Sequence, residues 1–139
     1  MKISDKTIQE LLLKYKKIDE AELKKLEQEA ATTKKPIQDI VLKRGLVTEY
    51  ELLIWYSDVI DIPYVQLQPS KIDPQYLKLI PEKTARRYNA IVFGENDGVY
   101  KLAMEDPDDV EAVDFLQKQL KSKPALFLTS KQNITAALD

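Results

Sequence analysis

The sequence contains no cysteine and no histidine, and has only three glycines among its 139 residues. Without cysteine there are no disulfides and no thiolate metal sites, which fits a reducing cytoplasm. Without histidine the usual general base is missing, together with the usual zinc ligand and the Ser-His and Cys-His nucleophile pairs. Three glycines cannot build a Gly-x-x-x-x-Gly-Lys-Ser/Thr phosphate loop, and none occurs, so this polypeptide is not expected to bind ATP that way. No apolar run approaches the roughly 20 residues that span a bilayer, and Met1-Lys2-Ile3-Ser4-Asp5 lacks a signal-peptide core. The expectation is a soluble, cytoplasmic chain with no direct membrane insertion. Charge bias is also lacking. The net charge is -2 at a pI near 5.3, with 11 basic and 12 acidic residues up to Leu67 and 10 and 11 after it. Neither part is the basic footprint that nucleic acid requires.

Hydrophobic residues at 44% and charged residues at 32% describe an ordinary globular chain. At this size roughly 68–70% of the unfolded surface can be buried, enough for one compact domain or two small ones. The most informative pattern is internal. At an offset of 29 residues Thr7–Lys14 aligns with Pro36–Lys43, and Ile18–Leu23 aligns with Val47–Leu52. One supersecondary unit is used twice. Each copy reads as helix, turn, helix. Ile8, Leu11, Leu12 and Tyr15 recur at helical spacing, as do Ile37, Ile40 and Val41, with Arg44 ending the turn. Asp19 with Glu22, and Thr48 with Glu51, have capping-box spacing. Ile18 with Leu23, and Val47 with Leu52, are placed for a hydrophobic staple. Gly45 suits a left-handed helix end, whereas Lys16 holds that place in the first copy and predicts a looser or strained turn. The last helix carries the stripe Leu52, Trp55, Tyr56 and Val59, yet Leu53 and Ile54 are apolar too. It is either central, covered by the first copy and the C-terminal half, or it offers a face to a partner helix.

The predicted fold is α+β: a bundle of two repeated helical hairpins over 1–60, a proline-punctuated connector over 61–72, and an α/β subdomain over 73–139. In the last, Asp73 or Pro74 begins a short helix to Leu79, and Pro81 begins another to Tyr88. Ala90–Phe93 and Val99–Met104 read as strands joined by a turn at Glu95–Gly98, since Asp-Gly supplies the positive φ a tight reversal needs. Asp106 reads as the cap and Pro107 as the first residue of a helix whose inward side carries Val110, Val113, Leu116, Gln117 and Leu120. Ala125–Thr129 is a third strand, and Ser130 caps a final helix with Ile134, Ala137 and Leu138. The result is a three-stranded mixed sheet flanked by helices, its β-α-β crossover right-handed.

Little of this points to catalysis. Glu105, Asp106, Asp108 and Asp109 lack calcium-loop spacing and are accounted for by capping and the helix dipole. No spacing singles out a pair of hydrolytic carboxylates. Arg86-Arg87 beside Tyr88 could grip a phosphate or an acidic partner, or sit solvated in the last turn of a helix. The chain is not expected to be an enzyme, nor to hold a cofactor or metal.

Three segments, Ile62–Leu67, Ile80–Tyr88 and Leu102–Pro107 (within Leu102-Ala-Met-Glu-Asp-Pro-Asp-Asp-Val-Glu-Ala-Val-Asp-Phe-Leu116), follow the helical repeat. In this arrangement the chain, from about Thr7 to Leu138, resembles the N-terminal domain of type II secretion and type IV pilus assembly ATPases. The resemblance implies a domain ahead of a linker and a hexameric P-loop ATPase core, which would hold the ATP and magnesium. It implies a partner in the cytoplasmic domain of an inner-membrane platform protein, and so a location peripheral to that membrane. The chain ends about where the linker would begin, and a fragment of such an ATPase is expected. The residues expected to touch a partner are Tyr50, Leu53, Ile54, Tyr56, Arg86 and Arg87. Some members bind cyclic di-GMP through the repeat, with units that begin Arg-Leu-Gly and end in Gln. Here the starts are Thr7-Ile8-Gln9 and Pro36-Ile37-Gln38, and the Gln places hold Ala30 and Val59. The guanidinium and the glycine that permits close approach are both missing, so no cyclic di-GMP binding is expected. Val92 stands where the family often has proline, which should let its strand pair more fully.

Overall fold

The computed structural model describes residues 1–139. The chain divides into two compact units, Lys2–Tyr56 and Ser57–Asp139, the latter taking in Met1 as well.

The first unit is the doubled hairpin: α1 (Asp5–Lys14), α2 (Glu20–Thr33), α3 (Ile37–Lys43) and the greater part of α4 (Glu49–Ile60). Each turn closes in the same way. Lys16 N–H donates to the Leu13 carbonyl and Lys17 N–H to that of Leu12, as Gly45 does to Leu42 and Leu46 to Val41. This pair of bonds satisfies the last carbonyls of a helix and needs a left-handed residue at its centre. Gly45 takes φ +70° and Lys16 φ +55°, so the first turn is as tightly bonded as the second and differs in strain alone. Both capping boxes form. Asp19 accepts from Glu22 N–H at 2.8 Å while Glu22 reaches back to Asp19 N–H. Thr48 Oγ1 accepts from Glu51 N–H at 3.1 Å, and Glu51 returns the bond at 3.0 Å. Ile8, Leu12, Ile37, Val41, Val47 and Leu52 are essentially shut off from solvent and form the core, with α3 packed on α1 and α2.

The second unit holds a 3-10 turn (Pro69–Lys71), α5 (Pro74–Leu77), α6 (Glu82–Tyr88), β1 (Ala90–Asn96), β2 (Val99–Met104), α7 (Val110–Leu120), β3 (Ala125–Leu128) and α8 (Lys131–Leu138). The sheet order is β1-β2-β3, antiparallel then parallel, as the alternation of hairpin and crossover predicts. Asp97 at φ +50° and Gly98 at φ +80° make the two-residue reversal. Val92 pairs with Leu102, and the register then slips between Val92 and Gly94 in a bulge. The connector is not merely a tether. Val65 N–H donates to the Leu128 carbonyl, and Leu128 N–H to that of Pro63, so its extended backbone lines the outer side of β3. The core joins the strands to Leu67, Ile80, Leu116 and Ile134.

Several boundaries depart from expectation, β1 among them, which runs on past Phe93 to Asn96 and leaves only Asp97 and Gly98 to the turn. Pro81 lies outside α6 as its cap, and α5 stops at Leu77. Asp106 does not cap α7. Its carbonyl instead accepts from Asp109 N–H in a turn around the buried Pro107, and the Asp109 carboxylate caps the helix through Ala112 N–H at 3.2 Å. Starting later, α7 leaves Val110 in its first turn 78% exposed, so the inward side is Ala112 and Leu116, with Val113 and Leu120 partly buried.

Candidate functional site

The six residues expected to meet a partner fall in two groups. Tyr50, Leu53, Ile54 and Tyr56 lie in α4 within the first unit, and Arg86 and Arg87 in α6 within the second. Leu53 is only 2% exposed and so is a packing residue. The register that turns Leu52 and Trp55 inward takes Leu53 with them, so it offers almost no surface here. Tyr50 is 57% exposed, while Ile54 and Tyr56 are half-buried.

Beside this face lies a side-chain stack that the sequence did not reveal. Tyr15, which ends α1, and Trp55 of α4 are stacked with centroids 4.3 Å apart and planes 6° from parallel. Lys14 sits over the Tyr15 ring and Lys17 over the Trp55 ring, at 5.4 and 5.9 Å. Lys17 Nζ also meets Glu51 at 3.0 Å. That bond, chiefly, and the Thr48 N–H hold the Glu51 carboxyl below its ordinary range. With its faces taken by a tyrosine and a lysine, Trp55 is a joint between the two copies and not a platform for a ligand. Each partner lies far along the chain from the other, and no local spacing announces the pair.

At the start of α3 the polar groups are engaged. Asp5 Oδ1 accepts from Ile37 N–H at 3.0 Å, supplying the cap that Pro36 lacks. The Gln38 side chain is buried and accepts from Ile3 N–H at 2.8 Å. A phosphate brought here would face the Asp5 carboxylate. Along α3, a groove of about 550 Å³ runs past Thr33, Lys35, Asp39 and Lys43. Its arginine, Arg44, is paired with Glu29. No cluster of three or more acidic side chains is placed to hold a metal ion.

The two arginines of α6 part company. Arg86 Nη2 bonds Asp139 Oδ1 at 2.9 Å and its Nε lies 3.5 Å from Glu82. The Asp139 bond, more than any other cause, raises its guanidinium above the ordinary range. Arg87 instead lies over the Tyr88 ring, 5.3 Å from its centroid. Tyr88 in turn packs on Phe115 of α7, centroids 5.2 Å apart. Sequence reasoning picked out the arginine pair and missed Phe115, which is 43% exposed on α7.

This sheet-and-helix unit, entered through the extended connector, matches the MshEN domain model over residues 60–139, more than half the chain. The chain belongs to the MshEN domain family. Over 108 residues it is 26% identical to the type IV pilus assembly ATPase PilB of Myxococcus xanthus (strain DK1622), a match that takes in 78% of this chain and 19% of PilB. The chain thus spans about a fifth of that relative. Among solved structures, MshE with cdg superposes at a TM-score of 0.76 and 25% identity, over 94% of this chain and 95% of that one. The N-terminal domain of XpsE shares the fold at a TM-score of 0.64 and 21% identity, over 99% and 96% of the two chains. The MshEN domain described here is therefore of the kind found in type II secretion and type IV pilus assembly ATPases, as its sequence resemblance implies. None of its helices is long and apolar enough to cross a membrane.

Proposed function

We propose that this MshEN domain is a docking module. It binds the cytoplasmic domain of an inner-membrane platform protein and joins it to an ATPase core, which supplies the ATP and magnesium chemistry. Held this way, it works at the cytoplasmic side of the membrane without entering it, and it catalyses nothing itself. The observation that carries this reading is the contrast between the domain's surface and its ionisable groups. Tyr50, Val59, Val110 and Phe115 leave large apolar area in water, whereas several of the charged side chains are engaged in ion pairs and no group of three or more acidic side chains is placed to hold a metal ion. Exposed apolar and aromatic surface of this kind favours association. In a pull-down, the chain should retain the platform protein's cytoplasmic domain. If the complete ATPase retains that domain and this chain does not, the reading is wrong.

A second reading is favoured by one observation, the likeness to MshE with cdg. Taken as cyclic di-GMP, that ligand would make the domain a second-messenger sensor. We rank it second because Pro36 and Thr7 replace the arginines, Gln9 and Gln38 the glycines, and Ala30 and Val59 the terminal glutamines, while Asp5 and Gln38 close the start of α3. The repeat then serves as scaffold.

A further inference from the structure

We infer that the surface formed by the end of α6 and the middle of α7 is a binding site for an acidic amphipathic peptide segment. Such a segment would lay an apolar side chain on the Tyr88–Phe115 pair and its carboxylates on Lys83 and Arg87. This deepens the docking reading by giving the docking partner a chemistry, and it rests on that reading for its biological setting alone.

Phe115 lies in a helix whose Ala112 and Leu116 face the core, yet its ring is 43% exposed. The fold does not require an aromatic there. Its only ring partner is Tyr88, tilted 32° at 5.2 Å, so the two rings form a shelf with one side in water. Arg87 extends the shelf through its contact with Tyr88. An aromatic pair edged by arginine has the composition of an interface centre, where those side chains are enriched.

Charge commits the occupant. Lys83 and Arg87 are both exposed and stand four residues apart on α6, hence on one face. Arg86, one position away, has both Glu82 and Asp139 as partners. No carboxylate stands within ion-pair reach of Lys83 or Arg87. On the α7 side the shelf is bordered by Glu111 and by Lys118, itself paired with Asp114 at 3.2 Å. The cationic edge is thus on α6 alone, and the partner's carboxylates belong there. A helix with apolar anchors at i, i+3, i+4 and i+7 and glutamates along one flank meets both demands. A carboxylate can take Arg87 by its guanidinium edge while the tyrosine keeps its face.

The test uses the 139-residue chain and a fluorescent amphipathic helical peptide with leucines at those anchor positions and glutamates on one flank. Its control carries lysines in place of the glutamates. The acidic peptide should give a saturable rise in anisotropy and the lysine peptide none. Lys83→Glu with Arg87→Glu should weaken the acidic peptide about tenfold or more, and Phe115→Ser should do the same, with circular dichroism unchanged in both variants. Equal binding of the two peptides, or an acidic peptide indifferent to the charge reversal, overturns the inference. So does sedimentation of the chain with phosphatidylserine vesicles in place of peptide binding, or self-association through Phe115. The docking reading is judged separately. If Arg87→Glu with Phe115→Ser leaves retention of the platform domain intact, docking stands and this site falls. If the unaltered chain retains no platform domain while the peptide results hold, docking falls and this site stands.

Discussion

The two copies of the helical hairpin share a spacing, a turn and a capping box, and they differ in what each is asked to hold. The first copy begins with its own cap, Ser4 to Thr7 N–H at 3.2 Å. The second begins at Pro36, which has no side chain to offer, and borrows the carboxylate of Asp5 from the first. The first copy turns on Lys16, the second on Gly45. α2 buries Leu26 alone, whereas α4 buries Leu52, Leu53 and Trp55. The lesson is that a duplicated unit need not be duplicated in role. One copy is amphipathic and self-sufficient, while the other is central and depends on its sibling.

That asymmetry can be broken where it is strongest. Leu52→Ala, at a side chain fully removed from solvent, should cost about 2–5 kcal/mol in urea denaturation. Leu23→Ala, its half-buried counterpart in the first copy, should cost clearly less. A cost at Leu23 as large as that at Leu52 would contradict the difference in roles. Asp5→Ala should cost about 1 kcal/mol, because it removes the only side-chain cap of α3, and it should speed amide exchange at Ile37. Exchange that quickens only within α1 would show that the borrowed cap contributes nothing. The turns give a reciprocal pair. Lys16→Gly should stabilise by about 0.5 kcal/mol, the relief of left-handed strain exceeding the entropy of glycine. Gly45→Lys should destabilise by about 1 kcal/mol through φ alone, since no atom lies within 4 Å of an added Cβ there.

The smallest effect is one of pH. In the folded chain Lys17 and the Thr48 N–H hold Glu51 below its ordinary value of 4.5. A carboxyl depressed on folding contributes stability above its unfolded value and loses it as pH falls through the folded one. Glu51→Gln should therefore lower the thermal midpoint slightly at neutral pH, and the gap should close as the solution is acidified below 4.5. A gap that persists or widens in acid would assign the effect to packing.

What could be read in advance was what is encoded locally. Asp19 with Glu22, Thr48 with Glu51 and Asp97-Gly98 each act within four residues, and the structure forms all three as their spacing predicts. The α7 cap shows the limit of that logic. Asp106 and Asp109 both offer a carboxylate ahead of an apolar helix, and the burial of Pro107 in a turn, a tertiary event, decides for Asp109. Leu53 is buried, which the sequence did not foretell because an all-round apolar helix does not reveal its own register. The Tyr15–Trp55 stack, the Asp5 cap and the Arg86–Asp139 bond join residues distant in sequence, so spacing is silent about each.

At the centre of this account is a repeat that has become architecture and no longer reads a nucleotide. Calorimetric titration of cyclic di-GMP into the 139-residue chain addresses that directly. Heats indistinguishable from dilution are the predicted result, and saturable binding at micromolar or lower concentration would contradict it.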